Sequence, residues 1–302
     1  MRKLYTILMT VALVATVQAQ TTVSATLEVG DYEGATAMVE GSYFDVAPTS
    51  FYLAHTGTQM IYLADNLVSL AQLSDVKITK LTYRYSNMDA YSEMTRDIKV
   101  FMQQIDENEF QKVKNVKQFF DFDETQPLLE TTAVYDLVET YGIDGEIEFD
   151  LSSHPFAFTP GKNLLVTIVM DAQDDDNCLG SGFDLQFYST GYRHRAMTFT
   201  HNYVSFLDYK DTEDFPDASA ILGCGTDVDL PVTKIDYTYT TQETIVGDIN
   251  GDGLVDISDV NLVINVMLGK ETSPAADVNG DGNVDISDVN MVINIMLGKS
   301  NS

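Results

Sequence analysis

The chain has 302 residues, with 46 acidic side chains against 17 basic ones and a formal charge of −29. So negative a chain repels nucleic acid and anionic membrane, and neither is expected as a partner. The apolar share of 44% is ample for a folded core, and the acidic residues are spread along the chain.

Residues 1–19 have the organisation of a secretory signal peptide. Arg2 and Lys3 form a positive start, and Leu4 to Val17 is a mostly apolar run, too short to span a bilayer comfortably. Val17 and Ala19 fall at −3 and −1 of a cleavage site before Gln20. Losing Arg2 and Lys3 with this segment takes the formal charge from −29 to −31. No cysteine marks the site for lipid attachment, and no later stretch reaches the length of a membrane helix. The mature protein is therefore expected outside the cell or on its surface. In that oxidising setting Cys178 and Cys224 form one disulfide or remain two buried thiols.

Residues 20–245 read as all-β. Strand-like runs recur at Met60–Ala64, Val76–Tyr85, Ile98–Gln104, Glu146–Leu151, Leu164–Met170, Phe183–Tyr188, Ala196–His201 and Val232–Tyr239. LTYRYS and EIEFDL alternate with period two, the mark of a half-buried strand, whereas LLVTIVM suits a strand covered on both faces. Turn residues such as Asn87-Met88-Asp89 and Thr159-Pro160-Gly161 separate the runs. Many strands without a long helix predict one large β-sandwich of jelly-roll kind.

Little in this region carries chemistry. His55, His154, His194 and His201 have no metal-ligand spacing, and Arg193-His194-Arg195 reads as an exposed strand or loop end. No GxSxG occurs, and no local signature selects a pair of carboxylates from the 46 available. Tyr83, Tyr85 and Tyr91 flank the polar loop Ser86–Ala90, as a sugar platform or as an ordinary cross-strand ladder. Asp171 and Asp174–Asn177 read as a solvated acidic turn, with a further calcium site as the alternative. The run RDIKVFMQQIDENEF, the Val-Tyr-Asp at 134–136 and EIEFDLSSHPFAFTPGKNLLVTIVMD resemble secreted adhesin and galactose-binding-like sandwiches of Bacteroidota across residues 50–205. That resemblance implies a scaffold and carries no catalytic residue.

The C-terminal fifth repeats itself. Residues 248–270, DINGDGLVDISDVNLVINVMLGK, recur at 277–299 as DVNGDGNVDISDVNMVINIMLGK, with four differences in 23 positions. Each copy sets oxygen donors at calcium-loop spacing: Asp248, Asn250 and Asp252 at positions 1, 3 and 5, the Leu254 carbonyl at 7, Asp256 at 9 and Asp259 at 12. The second copy supplies Asp277, Asn279, Asp281, Asn283, Asp285 and Asp288. Carboxylates so crowded repel one another without a cation, so two calcium ions are expected.

After each loop the period becomes helical. Val260, Val263, Ile264, Met267 and Leu268 form one apolar stripe, matched by Val289, Val292, Ile293, Met296 and Leu297. Ser258 and Ser287 are expected N-caps, and Gly269 and Gly298 lie just past the helix ends. Leu262, Val266, Met291 and Ile295 fall off the stripe, either as a partner surface or buried where the two helices wrap each other.

A loop followed by a helix, twice, with both DxNGDG motifs, resembles the type I dockerin family. The resemblance implies calcium binding and docking to a cohesin domain on a scaffold or surface protein. It places recognition at loop positions 10 and 11 and the outward helix faces: Ile257, Ser258, Asn261, Leu262, Asn265 and Val266, then Ile286, Ser287, Asn290, Met291, Asn294 and Ile295. Many clostridial members carry Ser-Thr and Lys-Arg pairs there, which this chain lacks, so no particular cohesin is implied. The expected organisation is a signal peptide (1–19), a β-sandwich (20–245) and a small α-helical dockerin (246–302). The expected function is non-catalytic binding or adhesion toward a glycan or host protein. The alternative is a polysaccharide-degrading enzyme or its accessory, since dockerins commonly accompany glycoside hydrolases.

Overall fold

The structure is a computed structural model that describes residues 20–39, 47–51, 53–87, 94–113, 116–135, 144–173, 185–201, 203–210, 224–242 and 245–299. The expected signal peptide, Cys178, Tyr91 and the acidic run 174–177 lie outside those residues. The chain divides into two compact units, one of residues 22–240 and one that contains residues 241–302.

The first unit is a sandwich of two antiparallel sheets. Its strands, in chain order, are β1 (Gln20–Val29), β2 (His55–Tyr62), β3 (Ser74–Asn87), β4 (Met94–Ile105), β5 (Lys112–Val113), β6 (Val116–Lys117) and β7 (Leu129–Tyr135). After these come β8 (Asp144–Asp150), β9 (Phe156–Phe158), β10 (Asn163–Ala172), β11 (Leu185–Phe187), β12 (Ala196–His201), β13 (Cys224–Val228) and β14 (Thr233–Gln242). One sheet runs β1-β14-β3-β11, with β8 and β9 also paired to β3, and the other runs β13-β12-β2-β10-β4-β7. All eight expected runs are present as strands. The expected strand end at Ala64 instead opens a 3-10 turn, Ala64–Leu70, that buries Leu67 and Leu70.

Between the sheets lies the main core, to which β3 contributes Ile78, Leu81 and Tyr83, β2 contributes Met60 and Tyr62, and β10 contributes Leu164, Val166 and Ile168. The Tyr62 hydroxyl meets Tyr83 Oη and Thr233 Oγ1, each at 3.0 Å, so a polar contact joins the sheets inside the core. Burial drives the Tyr62 pKa up to about 12 and the Tyr83 phenol well above its ordinary range, which keeps both as neutral hydroxyls.

The second sheet is also covered on its outer face, which is why β10 is buried along nearly its whole length. Phe110, Phe119 and Phe122 fold back over Phe101, Leu165, Val169 and Phe199, together with Phe206 and Tyr209 of the short helix α1 (Phe206–Lys210). Gln59 pins that cover: its side-chain amide donates to the Phe120 carbonyl at 2.8 Å, and its oxygen accepts the Phe120 N–H at 2.7 Å. Phe206 lies over Gly57, where any Cβ would overlap the aromatic ring.

The second unit holds two helices, α2 (Ile257–Met267) and α3 (Ile286–Met296), joined through a 3-10 turn at Pro274–Ala276. Its core is small: Ile249, Val260, Val263, Ala276, Val289 and Val292. Both helices end in the same left-handed cap. Gly269 has φ +69°, its N–H donates to the Val266 carbonyl, and Lys270 N–H donates to the Asn265 carbonyl; Gly298 and Lys299 repeat this on Ile295 and Asn294.

Gly57→Ala is expected to cost about 1–3 kcal/mol by overpacking, and Phe206→Ala about 3–5 kcal/mol by leaving a void. Combined, they should cost less than the sum of the two, because the void accommodates the new methyl. Urea unfolding of the three variants checks this, and strict additivity would show that the two positions do not share that space.

Candidate functional site

Each calcium-type loop is organised by two aspartates. In the first, Asp248 accepts N–H groups from Gly251, Asp252 and Gly253 at 2.8–3.1 Å. Asp259, wholly buried, accepts from Ile249 at 2.7 Å and Asn250 at 3.0 Å through one oxygen and from Asp256 at 2.9 Å through the other. It thus ties the start of the loop to the start of α2. Asn250 and Asp252 each take the N–H two residues ahead, which curls the chain between them. Gly253 follows with φ +87°, a conformation that a side chain resists.

The second loop repeats the bonds residue for residue. Asp277 accepts from Gly280, Asp281 and Gly282, and buried Asp288 accepts from Val278, Asn279 and Asp285. One contact differs between the copies although its residues are the same: Asn250 donates to Asp252, whereas Asn279 donates to Ser287 Oγ at 3.3 Å. Four carboxylates stand in each loop, and neither loop contains a lysine or arginine.

The donor set fits a hard divalent cation, because it consists of carboxylate, side-chain amide and main-chain oxygens only. Among the described residues no three acidic, histidine or cysteine side chains form a closed cluster. The ligand set expected at each loop is a mixed one, with Asn250 or Asn279 and the carbonyl of Leu254 or Asn283 beside the aspartates.

Helix entry departs from expectation. The N-caps are Asp256 and Asp285, not Ser258 and Ser287. Asp256 accepts the Ser258 N–H at 2.6 Å while Asp259 returns a bond to the Asp256 N–H, a reciprocal box that a hydroxyl at 258 would place two residues late. The signal was present as Asp-x-x-Asp in each copy. The bonds from Ser287 hold the Asp285 carboxyl below its usual range.

The residues assigned to partner recognition fall into matched classes in the two copies. Ile257 and Ile286 are 60% and 61% exposed, and Ser258, Asn261, Ser287 and Asn290 are exposed with them. Leu262, Asn265 and Val266, like Met291, Asn294 and Ile295, are half-buried. Leu262 and Val266 pack against the small core, so of the two alternatives for these positions the wrapping of the helices applies to them. Leu268 and Leu297, expected on the buried stripe, instead cap their helices and are exposed, because each helix ends one residue earlier.

Comparison with known proteins identifies this unit. Residues 246–297 match the dockerin type I domain family, and the C-terminal unit is a dockerin of that type. Dockerin domains bind calcium and dock to cohesin-bearing partners. No curated protein matches the chain. A solved structure described as the structure of infectious bursal disease virus Gx strain aligns at a TM-score of 0.23 and 10% identity. The alignment covers 86% of this chain and about half, 51%, of that one, and likeness that low carries no argument. Among the described residues no helix is long and apolar enough to cross a membrane.

In the sandwich unit Tyr83 and Tyr85 are both buried and do not offer their faces to a sugar. Tyr83 and Tyr85 point into the core, edge-on to Phe149 and Phe187, because period two turns both inward. Arg193-His194-Arg195 forms a turn with His194 at φ +62°, and Arg195 donates to the Asn108 carbonyl. Two histidines do meet: His55 and His201 stand opposite each other on β2 and β12, and Asp171 on β10 faces His55. Asp171 holds His55 Nδ1 at 2.8 Å and accepts the Ser205 hydroxyl at 2.9 Å. His201 Nδ1 accepts the N–H groups of Tyr203 and Val204 at 3.0 and 2.9 Å, which requires the neutral ring with its proton on Nε2. That bonding fixes the turn leading into α1.

Burial, and then the charge on His55, lowers the His201 pKa. A histidine with a depressed folded pKa binds fewer protons folded than unfolded. Its stabilising contribution is present above the ordinary histidine value of about 6.5 and is lost as pH falls through the lowered one. The thermal midpoint of the sandwich is therefore expected to drop on acidification below about pH 6.5, and His201→Asn, which keeps an acceptor without titrating, should flatten that drop. Parallel pH profiles for wild type and variant would show this assignment to be wrong.

Proposed function

We propose that the chain is an exported, non-catalytic binding protein, carried to a cohesin-bearing scaffold or surface protein by its C-terminal dockerin, while the β-sandwich engages a glycan or host protein. Each loop takes one calcium ion. The first uses Asp248, Asn250, Asp252, the Leu254 carbonyl, Asp256 and Asp259, and the second uses Asp277, Asn279, Asp281, the Asn283 carbonyl, Asp285 and Asp288. The ion offsets two of the four negative charges and relieves the repulsion among the crowded carboxylates, and the loop it holds fixes the entry of the helix that follows. Docking runs through the exposed ends of the helices, led by Ile257-Ser258 and Ile286-Ser287, with Asn261 and Asn290 beside them. The observation that carries this reading is the duplication itself. Two loops with one hydrogen-bond pattern lead into helices whose six assigned positions have the same exposure in both copies, so either copy can present the same face.

Chelation with EDTA is expected to lower the helical circular dichroism of the chain and to abolish capture by a cohesin domain, both restored by calcium. The double variant Asp248→Ala/Asp277→Ala should need more than about tenfold higher calcium for the same signal. Retention of two ions by that variant in equilibrium dialysis would falsify the ligand assignment, and a spectrum indifferent to EDTA would count against ion-dependent ordering of the helices.

A further inference from the structure

The strand that turns Tyr83 and Tyr85 into the core turns Arg84 out of it, onto the outer face of the first sheet. There β8 sets Glu146 directly opposite Arg84 and Asp144 one step along, opposite Ser86. Gly145, between them, faces inward without a side chain because the Tyr85 ring fills its place. Beside these strands the Asp31–Gly34 turn, closed by the Gly34 N–H on Asp31 at 3.0 Å, points the carbonyls of Tyr32 and Glu33 at Arg84 Nη1, both at 3.0 Å. The result is an open pocket of about 390 Å³ lined by Tyr32, Glu33, Arg84, Asp144, Gly145 and Glu146, a size within the range of small-molecule sites.

The polar groups are held before any ligand arrives. The Arg84 guanidinium lies 4.1 Å over the Tyr188 ring and donates to Asp144 at 2.5 Å. Asp144 also accepts the Tyr188 hydroxyl at 2.8 Å, and these two bonds keep its carboxyl below the usual range. Lys234 sits 4.0 Å over the Tyr32 ring, 3.2 Å from Glu33 and 3.6 Å from Glu146, while the Tyr32 hydroxyl donates to Glu146 at 2.9 Å. Three of the five guanidinium N–H donors are committed to Tyr32, Glu33 and Asp144.

Charge decides what such a pocket accepts. Three carboxylates on a chain of formal charge −29 repel an anion. A metal ion would have to displace Arg84 and Lys234 from the carboxylates that they already neutralise. An apolar ligand would strip water from five charged groups and return no hydrogen bonds. What remains is a neutral molecule whose neighbouring groups both donate and accept, as the vicinal hydroxyls of a pyranose do: each donates to a carboxylate and accepts from a cation. We infer that this pocket is a binding site for a neutral sugar, an assignment that rests on the reading of the sandwich as a binding module and names its ligand class.

Titration calorimetry of the full chain with methyl glucoside, galactoside and mannoside tests this, with calcium chloride, methylamine and sulfate as cation and anion probes. At least one glycoside is expected to saturate with a Kd of about 0.1–10 mM, and Arg84→Gln and the milder Glu146→Gln each to weaken it at least about tenfold. Lys80→Gln breaks a separate ion cluster with Glu148 and Asp236 on the same face and is expected to leave binding unchanged. No saturation by any glycoside, equal weakening in Lys80→Gln, or binding of an ionic probe alone would overturn the site. Reducing-end release from polysaccharides by the same chain scores the non-catalytic reading separately, since it sinks that reading while the glycoside titration alone decides the pocket.

Discussion

Two buried carboxylates govern the C-terminal unit. Asp259 and Asp288 sit where each loop meets its helix, fully out of water, and each accepts three main-chain N–H groups. Burying an ionised group is costly unless it is hydrogen-bonded or neutralised, and here the bonds come from the chain segment that must be held in place. Loop start, loop end and helix N-terminus thereby become one object. The helix dipole adds to this, because the carboxylates of Asp256 and Asp259 lie at its positive end. The direction of the exiting helix follows from an interaction between residues about ten positions apart.

The sandwich is held by a different constraint, the alternation of side chains along strands that are covered on both sides. β10 sends Leu164, Val166, Ile168 and Met170 to one core and Leu165 and Val169 to another. A shift of one residue would exchange the two sets, and the cover bonded at Gln59 would no longer match the surface beneath it. On the first sheet the same period places aromatic rings inside and charges outside. The buried tyrosines and the outer pocket are therefore two consequences of a single register.

What could be read from the sequence follows from where each strand lies. The strands recognised as such, β2, β3, β4, β8, β10 and β12 among them, bury at least one face and so write their period in apolar residues. β1, β7 and β13 fall outside the expected runs, as do the short β5, β6 and β9. The first three form the edges of their sheets, and β1 and β7 are largely solvated: β1 turns Val23, Ala25, Leu27 and Val29 inward, but Thr, Ser and Glu between them dilute the period. The Phe-rich cover of residues 110–122 was also not legible, since its rings follow neither a helical nor a strand period; they are placed by tertiary contact. The spacing of the loop residues was legible because each of their bonds is local, but the cap was not: it is Asp-x-x-Asp rather than the serine between. The outer pocket was not legible at all. It needs a turn at residue 33, a strand at 84 and another at 146, and only the fold brings them together.

The size of the dockerin core argues for the role of the ion. Six residues form it, none of them aromatic, and the unit contains no cysteine. Four buried valines contribute about 1.5–3 kcal/mol each at most, against about 1–2 kcal/mol of backbone entropy for every residue ordered. A unit of this size sits close to balance on such terms, as small domains generally do. A cation that binds the folded loop and not the open chain adds its binding free energy to folding. On the proposed reading, order in the two helices depends on the ion held by each loop as well as on the apolar core.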